Sequence, residues 1–162
     1  MRVDRARTHM GLEVEYAYLE VPAAAMVVPL TRDGRIVLIQ QYRHPIRGWA
    51  WEIPAGAVGE EEPIEAARRE LGEEVGGTCG ELRSLGGYYS SSGGQNLYCH
   101  AFLGLDVELG ETRHEDTELI RVRALPAEDA FNWARDGRLN ECTSALAVLM
   151  AEPHVRALRS RH

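Results

Sequence analysis

Cysteine is scarce in this chain, cations are outnumbered by anions, and no hydrophobic run is long. Three of the 162 residues are cysteine: Cys79, Cys99 and Cys142. The number is odd and no two are spaced as Cys-x-x-Cys, so reduced thiols in a cytoplasmic protein are expected. The best candidate for a membrane span, residues 23–30, is far too short to cross a bilayer, and no membrane partner is expected. The opening MRVDRARTHM carries basic side chains with no apolar segment behind them, which is not the build of a secretory signal. Lys and Arg together number 18 against 25 Asp and Glu, a net charge of −7. A nucleic-acid-binding face needs clustered cations, so none is expected. Internal repeats and low-complexity tracts are also missing, and the length and apolar content suit one domain with its own core.

What the chain does have is a concentrated acidic stretch at residues 56–76, GAVGEEEPIEAARRELGEEVG. Pro63 suits the first turn of a helix, where its missing N–H costs nothing. Good helix formers follow it, and Gly76-Gly77 supplies a stop. The pattern predicts a helix over 63–75. Ile64, Ala67, Leu71 and Val75 recur at helical spacing and form one apolar stripe. Glu70 and Glu74 are one turn apart, with Glu73 beside them. Like charges at that spacing destabilise a helix, so a bound cation is one explanation and a solvated acidic face the other. Carboxylates without sulfur or imidazole favour Mg²⁺ or Mn²⁺ over zinc.

The whole string resembles the Nudix box. Glu61 stands at the family's distance before Arg69, and Arg69-Glu70-Leu71-x-Glu73-Glu74-x-Gly76 matches in full. Two positions depart from it: the gap from Gly56 to Glu61 is one residue short, and Gly77 replaces the usual apolar closing residue. Gln40-Gln41-Tyr42-Arg43 followed by Trp51-Glu52-Ile53-Pro54-Ala55-Gly56 is similar to the ADP-ribose pyrophosphatase branch of that family. Ser90-Ser91-Ser92-Gly93-Gly94 lacks the prolines that the branch carries in this loop, which leaves the substrate more open than the chemistry. The resemblance implies an α/β Nudix fold, an α/β/α sandwich with a mixed β-sheet. It also implies a nucleotide pyrophosphatase working with Mg²⁺, Mn²⁺ being the other candidate. ADP-ribose, split into AMP and ribose 5-phosphate, is the foremost substrate. A nucleotide sugar such as GDP-mannose, a dinucleoside polyphosphate, or a silent nucleotide-sensing domain are the alternatives. Relatives in the branch form homodimers by exchanging N-terminal strands, so a homodimer is expected.

Around the box the sequence predicts a strand over 14–21 and a hairpin of 23–30 with 35–41 turning at Asp33-Gly34. Further strands are expected over 78–89, 95–105 and 118–124, and helices over 126–136 and 142–150. Residues 1–22 read as an N-terminal arm or strand available for dimer formation, and 23–162 as the Nudix hydrolase domain.

Roles follow from the resemblance and from side-chain chemistry. Glu70, Glu73 and Glu74 are the candidate metal ligands, and the resemblance adds the backbone carbonyl of Ala55. It also draws a late acid, best matched by Glu118, as ligand or general base, with Glu115 and Asp116 as rivals; Glu73 shares the catalytic set. Arg43 suits a diphosphate, because a guanidinium fork matches phosphate oxygens. Glu52 matches a position that holds substrate or metal in relatives, and Arg69 is expected to orient the box glutamates through ion pairs. Trp49 and Trp51 lie on one strand face, where stacking on a base and packing are equally good explanations.

Overall fold

The computed structural model describes residues 1–111 and 120–160. The chain opens with two strands, β1 (Arg2–Arg7) and β2 (Glu13–Tyr18), paired antiparallel as a separate ribbon. Next come β3 (Ala24–Thr31), β4 (Arg35–Arg43), a short 3₁₀ turn (His44–Ile46), β5 (Gly48–Glu52) and β6 (Ala55–Ala57). Helix α1 (Pro63–Val75) leads into β7 (Gly77–Thr78), β8 (Glu81–Tyr89) and β9 (Tyr98–Leu109). β10 (Ile120–Pro126), α2 (Ala127–Asp136) and α3 (Cys142–Arg159) complete the described elements.

The main sheet runs β10-β4-β3-β9-β7, with β5 on β4, β6 on β3 and β8 on β9. β3 and β9 pair in parallel while the other pairings are antiparallel, so the sheet is mixed. Side chains of a strand alternate between faces, and the two cores follow that rule. Met26, Val28, Ile36, Leu38, Ala101 and Leu103 face α2 and α3, meeting Phe131, Ala147 and Val148. Ala25, Val27, Val37, Ile39 and Phe102 face α1, meeting Ala67, Leu71 and Val75. The result is the expected α/β/α sandwich.

Helix α1 spans the expected residues, with Pro63 in its first turn and Gly76 as C-cap at φ 62. Glycine reaches this left-handed conformation at no steric cost. Gly34, at φ 80, turns the β3–β4 hairpin as expected. Two expected boundaries need correction, and one open alternative is resolved as a strand. Residues 2–7 form a full strand; all but one of its positions are exposed, so burial gave them no readable period. β9 starts later and runs further than expected, to Leu109, because Val107 is buried against the α1 side. Helix α3 does not stop at Met150 but continues through Pro153 to Arg159. A proline inside a helix costs about 3 kcal/mol. Buried Val155, packed Leu158 and the Arg156 ion pairs with Glu152 and Glu128 offset that cost. Cys79, Cys99 and Cys142 are free thiols, and no helix among the described residues is long and apolar enough to cross a membrane.

Candidate functional site

The site is built where β6 passes the flank of α1. The apolar stripe of α1 packs on the sheet, which turns Glu70 and Glu74 inward at its edge: they are only 8% and 4% exposed. The backbone N–H of Ala55 donates to Glu74 Oε2 at 2.9 Å. Glu70 lies against the α-carbon of Gly56, and a Cβ there would come within 1.8 Å of its Oε1. Glycine therefore makes room for that carboxylate. Two carboxylates one turn apart repel, and burial strengthens the repulsion.

Arg69 answers part of that charge. Its guanidinium bonds Glu70 Oε1 at 2.6 Å, Glu73 Oε2 at 2.9 Å and Glu61 Oε1 at 3.0 Å, and it also reaches the Ala57 carbonyl at 3.2 Å. Burial works against the charged form of Arg69, but its hydrogen bonds to Glu70, Glu61 and Glu73 outweigh this and raise its pKa. This is the orienting arrangement expected of Arg69. Glu73 differs from its neighbours: its side chain is half-exposed and held on the outer side by Arg69. The structure thus brings together Glu70, Glu74, Ala55 and Gly56, and leaves Glu73 at the rim.

A cleft of about 950 Å³ opens beside β6. Ala55, Gly56, Arg43 and Glu52 line it, together with residues 21–24 and the turn entering α3. Arg43 Nε donates to Glu52 Oε1 at 2.8 Å and its terminal nitrogen donates to Oε2 at 2.5 Å. Glu52 is buried while Arg43 stays 43% exposed. The bidentate fork holds the guanidinium at the cleft and neutralises an acid that would otherwise be costly to bury. Trp49 and Trp51 stand on the opposite face of β5 from Glu52. Trp49 meets Tyr42 and Arg121, and Trp51 packs edge-on against Trp133 with Arg123 nearby. Neither lines the cleft; strand alternation turned both away from it, into the packing that was the other explanation for them. Glu115, Asp116 and Glu118 lie outside the described residues.

Sequence reasoning missed the cleft wall formed by Asn140, Glu141, Thr143 and Ser144. Glu141 caps α3, accepting from the backbone N–H groups of Thr143 at 3.0 Å and Ser144 at 2.7 Å. An acid ahead of Thr-Ser and an apolar run marks a helix start, but not where that start lies in space.

The oxygen-only donors suit a hard divalent cation. Among the described residues no three His, Cys, Asp or Glu side chains gather tightly enough to hold a metal by themselves. Mg²⁺ does not ask for that, since it is commonly bound by one or two carboxylates completed by water and substrate phosphate. The buried pair Glu70 and Glu74, with the Ala55 backbone against Glu74, fits that requirement.

The family model of the NUDIX domain matches residues 20–142. The chain belongs to the Nudix family. An ADP-ribose pyrophosphatase of Bacillus subtilis is 32% identical over 130 residues, which cover 78% of this Nudix chain and 70% of that protein. A CMP-5'-(N-acetyl-N-hydroxy-3-aminopropyl)phosphonate hydrolase of Streptomyces rubellomurinus is 32% identical over 142 residues, 86% of this chain and 68% of that protein. A solved structure of an ADP compounds hydrolase superposes with a TM-score of 0.84, at 20% identity, over 96% of this chain and 85% of that one. That last likeness is one of fold. The resemblance to the ADP-ribose pyrophosphatase-like branch holds, and the chain is a Nudix pyrophosphatase.

Proposed function

We propose that this Nudix protein hydrolyses a nucleoside diphosphate linked to a second group, with ADP-ribose as its foremost substrate and AMP and ribose 5-phosphate as products. The observation that carries this is the buried pair Glu70 and Glu74, set against Ala55 and Gly56 of β6, which line the same cleft as Arg43. Glu70, Glu74 and the Ala55 carbonyl would hold Mg²⁺, with Mn²⁺ as substitute. When bound, the cation supplies positive charge against the diphosphate and acidifies water. The chain's own residues do the rest. Arg43, steadied by Glu52, binds the diphosphate through its guanidinium. Arg69 holds Glu70 in place and keeps Glu73 at the rim. Glu118, with Glu115 as second choice, takes the proton from the attacking water. The water oxygen bonds to one phosphorus as the bridging P–O bond breaks, and the departing phosphate keeps the bridging oxygen.

Residues 23–162 form the hydrolase domain in this reading, and residues 1–22 are an arm for a homodimer. Support for the arm is its separate ribbon, which leaves Val3, Met10, Leu12 and Tyr16 exposed. The free thiols suit a reducing, cytoplasmic setting. A second substrate reading keeps the same chemistry on another nucleotide conjugate. The proline-free Ser90–Gly94 loop favours it, as does a relative of equal identity that is named for a CMP conjugate. The test is AMP release from ADP-ribose with Mg²⁺, alongside GDP-mannose and a dinucleoside polyphosphate, in the wild type and in Glu74→Gln. Turnover that survives Glu74→Gln intact would remove the metal assignment.

A further inference from the structure

The turn that enters α3 lines the cleft, yet the chemistry proposed above gives it nothing to do. β5 is an edge strand, paired with β4 on one side only. The backbone groups on the other edge of such a strand need partners from elsewhere. Here they come from side chains. The N–H of Trp51 donates to Asn140 Oδ1 at 2.7 Å, and Asn140 Nδ2 donates to the Trp49 carbonyl at 3.4 Å. Just past the strand, the N–H of Ile53 donates to Ser144 Oγ at 3.1 Å. The Ser144 hydroxyl donates in turn to Glu141 Oε2 at 2.8 Å, so it is fixed by the helix cap. The turn stands in for a missing strand. Between the two pinned amides lies Glu52, whose carboxylate forks onto Arg43.

We infer that Asn140 and Ser144 are positioning residues for diphosphate binding: by pinning the outer edge of β5 they fix Glu52, and through it the Arg43 guanidinium, at the cleft. The inference rests on the hydrolase reading above for its ligand, but not for its geometry. A bidentate fork tolerates little displacement, and a misplacement of about 1 Å can cost on the order of a hundredfold. An interaction that binds ground state and transition state alike changes KM rather than kcat. Ser144 is 2% exposed and its hydroxyl is engaged on both sides, by the Ile53 N–H and by Glu141, so that hydroxyl is committed to holding β5.

The test uses the full chain with Mg²⁺ and ADP-ribose, and follows KM, kcat and hydrogen exchange at the Trp51 and Ile53 amides. Asn140→Ala and Ser144→Ala should each raise KM about tenfold while kcat stays within about threefold. Trp51 exchange should quicken at least tenfold in Asn140→Ala, and Ile53 exchange in Ser144→Ala, as their closing bonds are lost. Asn140→Asp keeps an acceptor for the Trp51 N–H and should restore slow exchange and most of the KM. A raised KM in Asn140→Ala but not in Ser144→Ala would mean that Asn140 touches the substrate itself, and the inference falls. It falls equally if the amides open and KM does not move. A wild type without turnover would sink the hydrolase reading instead; the exchange data would then decide the clamp alone, unchanged Trp51 exchange in Asn140→Ala overturning it.

Discussion

Adding a single methyl group at Gly56 separates the site from the fold. An alanine Cβ there would sit 1.8 Å from Glu70 Oε1, 2.2 Å from its Cδ and 2.8 Å from Oε2. The atoms in the way belong to the end of a side chain, not to backbone, so β6 keeps its pairing and Glu70 swings aside. Swinging aside breaks the 2.6 Å bond to Arg69. A hydrogen bond to a charged group contributes about 1.5–3 kcal/mol, and Arg69 keeps Glu61 and Glu73. A net loss of about 1–2 kcal/mol is the outcome, a Tm drop of about 2–8 °C for a chain of this size. The cost to function is much larger, because in the proposed reading the displaced carboxylate is one of the two buried ligands among the described residues. Half-saturating Mg²⁺ should rise at least tenfold, and kcat/KM should fall about a hundredfold at fixed Mg²⁺. The assays are a Mg²⁺ titration of AMP release and a thermal melt in chelator. Gly59→Ala is the control: a Cβ there meets nothing within 4 Å, so both measurements should stay at wild type. A Gly56→Ala protein with wild-type Mg²⁺ dependence would refute the assignment of Glu70. A protein that unfolds outright would refute the claim that only a side chain yields.

Other outcomes follow from the same geometry. Arg43→Lys keeps the charge but loses the fork onto Glu52, so KM should rise about tenfold with little change in kcat; steady-state kinetics checks this. Trp51→Ala removes a ring packed on Trp133 away from the cleft and should cost about 3 kcal/mol or more of stability, while KM for ADP-ribose stays unchanged. Glu141 gives a pH signature. Burial raises its pKa, but bonds from Thr143 and Ser144 outweigh this and hold it below the ordinary 4.5. A depressed folded pKa means stability that is fully present above the unfolded value and lost as pH falls through the folded one. Glu141→Gln should therefore be less stable than wild type at pH 7, and the gap should narrow below about pH 4. Urea unfolding at the two pH values reads it, and a gap that widens in acid would refute the capping account.

The acidic helix was legible from local chemistry alone. Pro63, the Ile64-Ala67-Leu71-Val75 stripe and Gly76 fix where α1 begins, which face it buries and where it stops. Once that face is set, Glu70 and Glu74 must flank it, so the heart of the candidate site could be read from spacing. The β3–β4 hairpin was legible in the same local way, through a continuous apolar run and the turn at Asp33-Gly34. Tertiary packing decided what spacing leaves open. Glu73 shares the motif with its neighbours, yet one step around the helix put it at the rim in the grasp of Arg69. Trp49 and Trp51 share a strand with Glu52, and only the position of α2 and α3 showed which face of β5 meets the cleft. Asn140 and Ser144 lie about 90 residues from the strand they pin. Periodicity reports which residues share a face of one element, while contacts between distant elements arise only when their buried faces close on a common core.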